Sequence, residues 1–311
     1  HLYPNAYKEG GSLTGADTSA AFPQGKSFGK IDVSDVTVDG KEARFEIEGD
    51  IMTVAIPAVM PTQRTSASMN FSVLLPQAAH RLGYLEGKYN LGNWYPVLCA
   101  FDTEWKTHPY YVFGDPFDST VADYRVSLSY PEELKAVSTG GVGENGVLNV
   151  SADNVRDFAV VIGDFNVKSA NVNGIKINYC TEGEEEYTPL ITEAITFFSD
   201  MFGNYAYKEY SVVKTAFYSG GMEYPALCYI SDVLVEKAVE EVIIHETAHQ
   251  WWYAAVGNDQ VNEAWLDEGL TEYSTTVFYE KHPDYGVKRE SRIADSLTSY
   301  SLYCEIYAHG E

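Results

Sequence analysis

The chain has 311 residues, with 21 basic and 45 acidic side chains for a net charge of −24, and is 45% hydrophobic and 14% aromatic. Such a composition excludes a disordered chain, and the acidity removes the basic footprint that nucleic acid or an anionic membrane surface requires. No apolar run approaches the ~18–20 residues of a membrane span, and the length suits about two domains at roughly 150 residues each.

The first part reads as β structure. Ile31, Val33, Val36 and Val38 roughly alternate with polar residues, Asp39-Gly40 signals a tight turn, and Phe45 and Ile47 resume the alternation. Further strand-length runs fall at 51–56, 69–75, 125–130, 147–150, 158–162 and 175–179. Gly140-Gly141, Asn145-Gly146 and Asn173-Gly174 punctuate them. An all-β N-terminal domain, a sandwich or saddle-like sheet, is expected over 1–183. An acidic patch, Glu182 to Glu186, marks the junction to a second, mostly helical α+β domain over 184–311. Thr188-Pro189 supplies an N-cap and a first-turn proline, and apolar residues at helical spacing follow until Gly203. A strand over 210–217 leads to Gly220-Gly221, and helices are expected over 233–256, 264–279 and from 288 onward.

The first of those helices contains His245-Glu246-Thr247-Ala248-His249, an H-E-x-x-H segment. Residues four apart share one helix face, so both imidazoles can address one metal ion with Glu246 beside them. A third ligand should come from another element, because catalytic zinc keeps three protein ligands and one open position. Glu268 is the best placed, with 18 residues between it and His249, if a turn at 257–259 brings the next helix back antiparallel. Asp267, Glu263 and Glu272 are rivals, read as solvated carboxylates or as supports for the ligands.

These residues, with Gly220-Gly221-Met222-Glu223-Tyr224 upstream and Trp265-Leu266-Asp267-Glu268-Gly269, resemble the aminopeptidase N family of zinc metallopeptidases (gluzincins), to which leukotriene hydrolase also belongs. The chain departs from that family's G-x-M-E-N and W-L-N-E-G spellings at Tyr224 and Asp267. Weaker likenesses run through Leu91-Gly92-Asn93-Trp94-Tyr95-Pro96 and Gly114-Asp115-Pro116-Phe117-Asp118. The resemblance implies a thermolysin-like catalytic domain, one Zn²⁺ per chain on His245, His249 and Glu268, and metal-activated water with Glu246 as general base. It further implies that Glu223 binds the free α-amino group of a peptide substrate, limiting cleavage to the first bond. Gly220, Gly221 and Met222 would then supply backbone to an extended peptide. Tyr307, in Tyr307-Ala308-His309-Gly310, is the implied donor to the oxyanion, with Tyr303 its rival. It also implies a truncated, bacterial-type member, short of its first strands and closing helices.

Cys99, Cys180, Cys228 and Cys304 form no C-x-x-C pair and are read as free thiols, with a disulfide left open. His80, His108, His282 and His309 lie outside any metal spacing, and Trp251-Trp252-Tyr253 reads as core packing. A silent peptide-binding scaffold is the rival reading, disfavoured because it has no need of Glu246. An added epoxide hydrolase activity has no support of its own. No targeting segment is visible, so neither address nor oligomeric state follows.

Overall fold

The computed structural model describes residues 1–8, 20–110, 115 and 117–309, excluding the side chains of 300 and 302–309. In chain order the N-terminal strands are β1 (Lys30–Val38), β2 (Lys41–Glu42), β3 (Phe45–Glu48), β4 (Ile51–Val54), β5 (Ala67–Leu74) and β6 (Leu82–Leu85). They continue with β7 (Lys88–Leu91), β8 (Ala122–Ser129), β9 (Lys135–Ser138), β10 (Gly141–Gly143), β11 (Val147–Val155) and β12 (Val160–Gly163). They form antiparallel sheets, the largest ordered β10-β9-β12-β7-β6. Three of the turn signals hold as read: Asp39-Gly40, Asn145-Gly146 and Asn173-Gly174 each place two successive residues at positive φ, which matches the twist of a tight hairpin.

A second five-stranded sheet follows: β13 (Asn166–Val172), β14 (Ile175–Thr181), β15 (Glu209–Thr215), β16 (Gly221–Met222) and β17 (Leu227–Ser231), ordered β13-β14-β15-β17-β16. β14, β15 and β17 are parallel, and the two edges are antiparallel. This sheet draws strands from both sides of residue 183. Its helices are α1 (Thr188–Phe202), α2 (Glu236–Ala248), α3 (Leu270–Lys281) and α4 (Arg289–His309). Among the described residues no helix is long and apolar enough to cross a membrane.

Both faces of the sheet are buried, which is why β17 reads as a nearly continuous apolar run and why even the polar Ser211 and Thr215 of β15 are buried. Tyr179, Val212, Cys228 and Ile230 face α1 and α2, joining Ile195, Phe198, Ile243 and Phe278 in one core. Their neighbours Cys180, Val213, Leu227 and Tyr229 face the other way, into a core with Val137, Ala159 and Val161 of the N-terminal strands. α2, which carries the H-E-x-x-H segment, and the N-terminal strands thus press on opposite faces of one sheet.

Three carboxylates of the acidic patch are engaged: Glu182 pairs with Lys88 at 2.8 Å, Glu185 with Lys214 at 2.7 Å, and Glu186 binds the start of α1. Thr188 is not the N-cap. It is the first helical residue, preceded by Tyr187, which makes no side-chain cap bond. Cys180 and Cys228 are buried free thiols, and Cys99 is a free thiol only half-buried.

Candidate metal centre and peptide site

α2 starts with Glu236 at its positive end and buries Val239, Ile243, Ile244, Thr247 and Ala248 on its inner face. His245 and His249, one turn apart at its C-terminal end, bring their Nε2 atoms to 3.1 Å. The helix ends there, short of the expected 256. Residues Gln250–Ala255 form a wider turn broken at Trp252 and Tyr253, and the chain returns through a second wide turn, Trp265–Gly269, into α3. That turn carries Glu268, whose Oε2 lies 3.3 Å from His245 Nε2 and 3.8 Å from His249 Nε2. Tetrahedral zinc with bonds of about 2.0–2.1 Å needs ligand atoms about 3.3 Å apart. Two imidazole nitrogens and one carboxylate oxygen at these spacings fit that ion. His249 is buried while the Glu268 side chain is 50% exposed, so the site opens to solvent on the Glu268 side.

The rival carboxylates take different places. Asp267 is buried, and its Oδ1 accepts from His249 Nδ1 at 2.7 Å. A proton fixed there leaves Nε2 free as a ligand. Glu272 stands 3.6 Å from His245 Nδ1 and is itself held by Arg292 at 2.5 Å. Glu268 and Glu272, one turn apart, therefore address the two nitrogens of one imidazole. Glu263 is exposed and joins neither group of metal-competent side chains found among the described residues.

Burial opposes charge on every group here, and the neighbours overcome it on some and not on others. For Glu268 the hydrogen bond from His245 and the charge of His249 overcome burial and hold the carboxyl down to about 2. His245 is pushed up to about 9, because Glu268 and Glu272 outweigh its desolvation. Glu246 is pushed up to about 7, chiefly by burial. Its Oε2 is buried and has no hydrogen-bond partner among the described residues.

Glu223 is buried as well, and burial followed by the charge of Asp115 raises its carboxyl well above the ordinary range. A ligand atom of each of Glu223, Glu246 and His249 falls within 4.8 Å of the others, so the upstream glutamate does meet the metal helix. Gly221 lies against Glu246: a Cβ there would overlap Glu246 Oε1, whereas one at Gly220 would only touch Val242. β16 forms the edge of the sheet beside this carboxylate. Met222 points the other way, into the core, leaving only its backbone to face a ligand. The side chains of Tyr303 and Tyr307 lie outside the described residues.

Of the residues that hold this wall, Gln250, Asn93 and Asp157 were not legible as site residues. Gln250 donates to Tyr224 O at 3.2 Å and accepts from Ala226 N at 2.8 Å, clamping the Glu223 segment to the end of the metal helix. Tyr224, at the family's asparagine position, donates to Asn93 Oδ1 at 3.0 Å, and its ring tip occupies the space that a side chain at Gly92 would need. Asn93 in turn donates to buried Asp157, which also accepts from Ser119 at 2.9 Å and from Tyr253. Tyr253 is thus more than core packing. A glutamine directly after the second histidine was the one signal available for any of these.

Residues 189–303 match the Peptidase family M1 domain, which is the aminopeptidase N family. Human aminopeptidase B is 35% identical over 174 residues, 51% of this chain and 27% of that protein. Leukotriene A-4 hydrolase of Xenopus laevis is 24% identical over 274 residues, 78% of this chain and 44% of that protein. The chain thus spans less than half the length of these relatives. An M1 zinc metallopeptidase from Deinococcus radiodurans superposes with a TM-score of 0.63 at 18% identity, over 88% of this chain and 65% of that one. The resemblance read from the motifs is borne out over residues 189–303, which match that domain, on a fold with sheets in its N-terminal part and helices in its C-terminal part.

Proposed function

We propose that this M1-family chain is the catalytic part of a zinc-dependent aminopeptidase that removes the first residue of peptides with a free N-terminus. The observation that carries the reading is the meeting of His245, His249 and Glu268 at zinc-ligand spacing, with buried Glu246 and Glu223 against the same imidazole. One Zn²⁺ held by these three residues would polarise the scissile carbonyl and acidify water. Glu246, raised toward neutrality and with a free oxygen, takes the proton of the attacking water and passes it to the leaving amine. Glu223 pairs with the substrate's α-ammonium, whose positive charge relieves the cost of a buried carboxylate. The β16 edge offers its backbone to an extended peptide as an added strand. Tyr307 is assigned as oxyanion donor from its phrase in the sequence. A thermolysin-like domain from about residue 184, with a β domain before it, is the architecture that accompanies this reading.

The test is chelator-sensitive hydrolysis of aminoacyl amides by the zinc-loaded protein. Glu246→Gln is expected to keep its zinc and lose on the order of 10²–10⁴ in kcat; unchanged turnover would overturn the proposal. N-acetylated peptides should be refused, and equal turnover of blocked and free peptides removes Glu223 from its role.

A further inference from the structure

Between the metal helix and Glu268 the chain passes through a polar stretch, Gly257-Asn258-Asp259-Gln260, and one side chain of it turns into the site. Gln260 is buried, and its backbone N–H donates to Phe117 O at 3.3 Å, tying the stretch to the N-terminal region. Its Nε2 donates to Glu223 Oε1 at 3.3 Å and to Asp267 Oδ2 at 2.5 Å. An amide nitrogen carries two protons, and both are used here. The flipped amide would set its carbonyl oxygen against Asp267 Oδ2, whose carboxylate already accepts from His249, so electrostatics favours the orientation seen. The other end, Oε1, is buried with no hydrogen-bond partner among the described residues. A buried orphan acceptor carries a cost, and the fold tolerates it where the amide joins two carboxylates of the site. Asp267 uses its remaining oxygen for His249 Nδ1, so Gln260 stands between Glu223 and the metal-facing histidine.

We propose that Gln260 is a positioning residue that orients the Glu223 carboxylate directly and the His249 ring through Asp267, coupling amine recognition to the metal centre. The proposal rests on the aminopeptidase reading above. Losing the donor leaves Glu223 free to turn away from the α-ammonium, which weakens binding of free-amine substrates more than it slows the chemical step. It also leaves Asp267 less firmly set against His249. Outer partners of metal-bound histidines influence metal affinity by about 10–100-fold, and one bond further out the effect should be several-fold.

The experiment compares Gln260→Ala and the near-isosteric, donor-free Gln260→Met with the unaltered protein. Zinc affinity is read by chelator competition, without turnover, and KM and kcat are read on a free-amine aminoacyl amide. Both variants should raise KM about tenfold with a smaller change in kcat, the scale of one hydrogen bond to a charged group, and weaken zinc several-fold. Gln260→Met keeps the shape and loses the donor, so wild-type behaviour in that variant overturns the proposal, as a purely space-filling role would produce it. In an Asp267→Asn background the zinc effect of Gln260→Ala should shrink to nothing, and an undiminished effect overturns the link through Asp267. Retained turnover in Glu246→Gln would instead defeat the aminopeptidase reading, so the two failures are distinguishable.

Discussion

His245 and His249 reach the candidate metal position from one turn of α2, and Glu268 and Glu272 answer them, one turn apart across the entry to α3. Glu223 is held quite differently. Its segment is fixed by Gln250 from the end of the metal helix, by Gln260 from the polar stretch after it, and by Asn93, 131 residues before Tyr224. Behind Asn93, Asp157 gathers Ser119 and, 96 residues further on, Tyr253. The metal half is set by helix periodicity within two short segments. The proposed substrate half is set by hydrogen bonds between buried polar groups that only the complete fold brings together, and such groups are costly when left unpaired. A change in the second half should therefore cost stability and substrate affinity before it costs metal.

The largest expected effect follows from Asp157→Ala. Asp157 is fully buried and accepts from Tyr253, from Ser119 Oγ at 2.9 Å and from Asn93 Nδ2 at 3.3 Å. Removing it strands these donors together and should destabilise the protein by about 3 kcal/mol. Denaturant unfolding measures that loss. Because Asn93 also receives the Tyr224 hydroxyl, KM should rise for free-amine substrates, while zinc affinity stays within about twofold. A zinc affinity that collapses with stability would erase the distinction between the two halves.

Gly221→Ala tests the place where they touch. The added Cβ meets the Glu246 carboxylate, the movable end of a side chain, so the fold should accommodate it by displacing that carboxylate. A displacement near 1 Å at a reacting group costs about 10² in rate. We expect kcat to fall by about that factor while zinc content and Tm hold. The parallel change Gly220→Ala, which meets only Val242, should be nearly silent. If both variants behave alike, close approach is not what fixes glycine at 221.

The legible parts of the molecule were those with a period or a fixed local chemistry. The two histidines follow from helical spacing, and the three Xaa-Gly hairpins from the left-handed backbone their turns require. The end of the metal helix was misread because Trp251 and Ala254 continue the apolar spacing. Its pattern carries no trace of Asp157 drawing on Tyr253, or of Tyr224 and Ala226 drawing on Gln250. Gln260 was invisible for the same reason: one polar residue in a polar stretch has no period, and only its burial between two carboxylates distinguishes it. Among the four acids weighed as the third ligand, spacing ranked Glu268 first, but only side-chain directions separate its place from those of Asp267 and Glu272.

The smallest expected effect concerns a purely local bond, away from both halves. Thr188 was read as the cap of α1, yet the bond is made by Glu186, whose Oε1 accepts from Thr188 N at 2.9 Å and from its hydroxyl at 2.5 Å. Partial burial works against the carboxylate, but the two Thr188 bonds outweigh it and hold its pKa below the ordinary glutamate value. Glu186→Ala should cost about 1 kcal/mol, the usual scale for a lost helix cap, with no change in zinc affinity or turnover. The folded pKa is lowered, so this stabilisation is complete above the unfolded carboxylate pKa and is lost as pH falls through the folded one. The stability gap between Glu186→Ala and the unaltered protein should thus be widest near neutrality and close in acid, as measured by denaturant midpoints at the two pH values. A gap that stays constant would mean that the side chain acts by packing. A fall in zinc affinity would mean that local structure in α1 reaches the metal through α2, and that the two halves of the site are less separable than their contacts suggest.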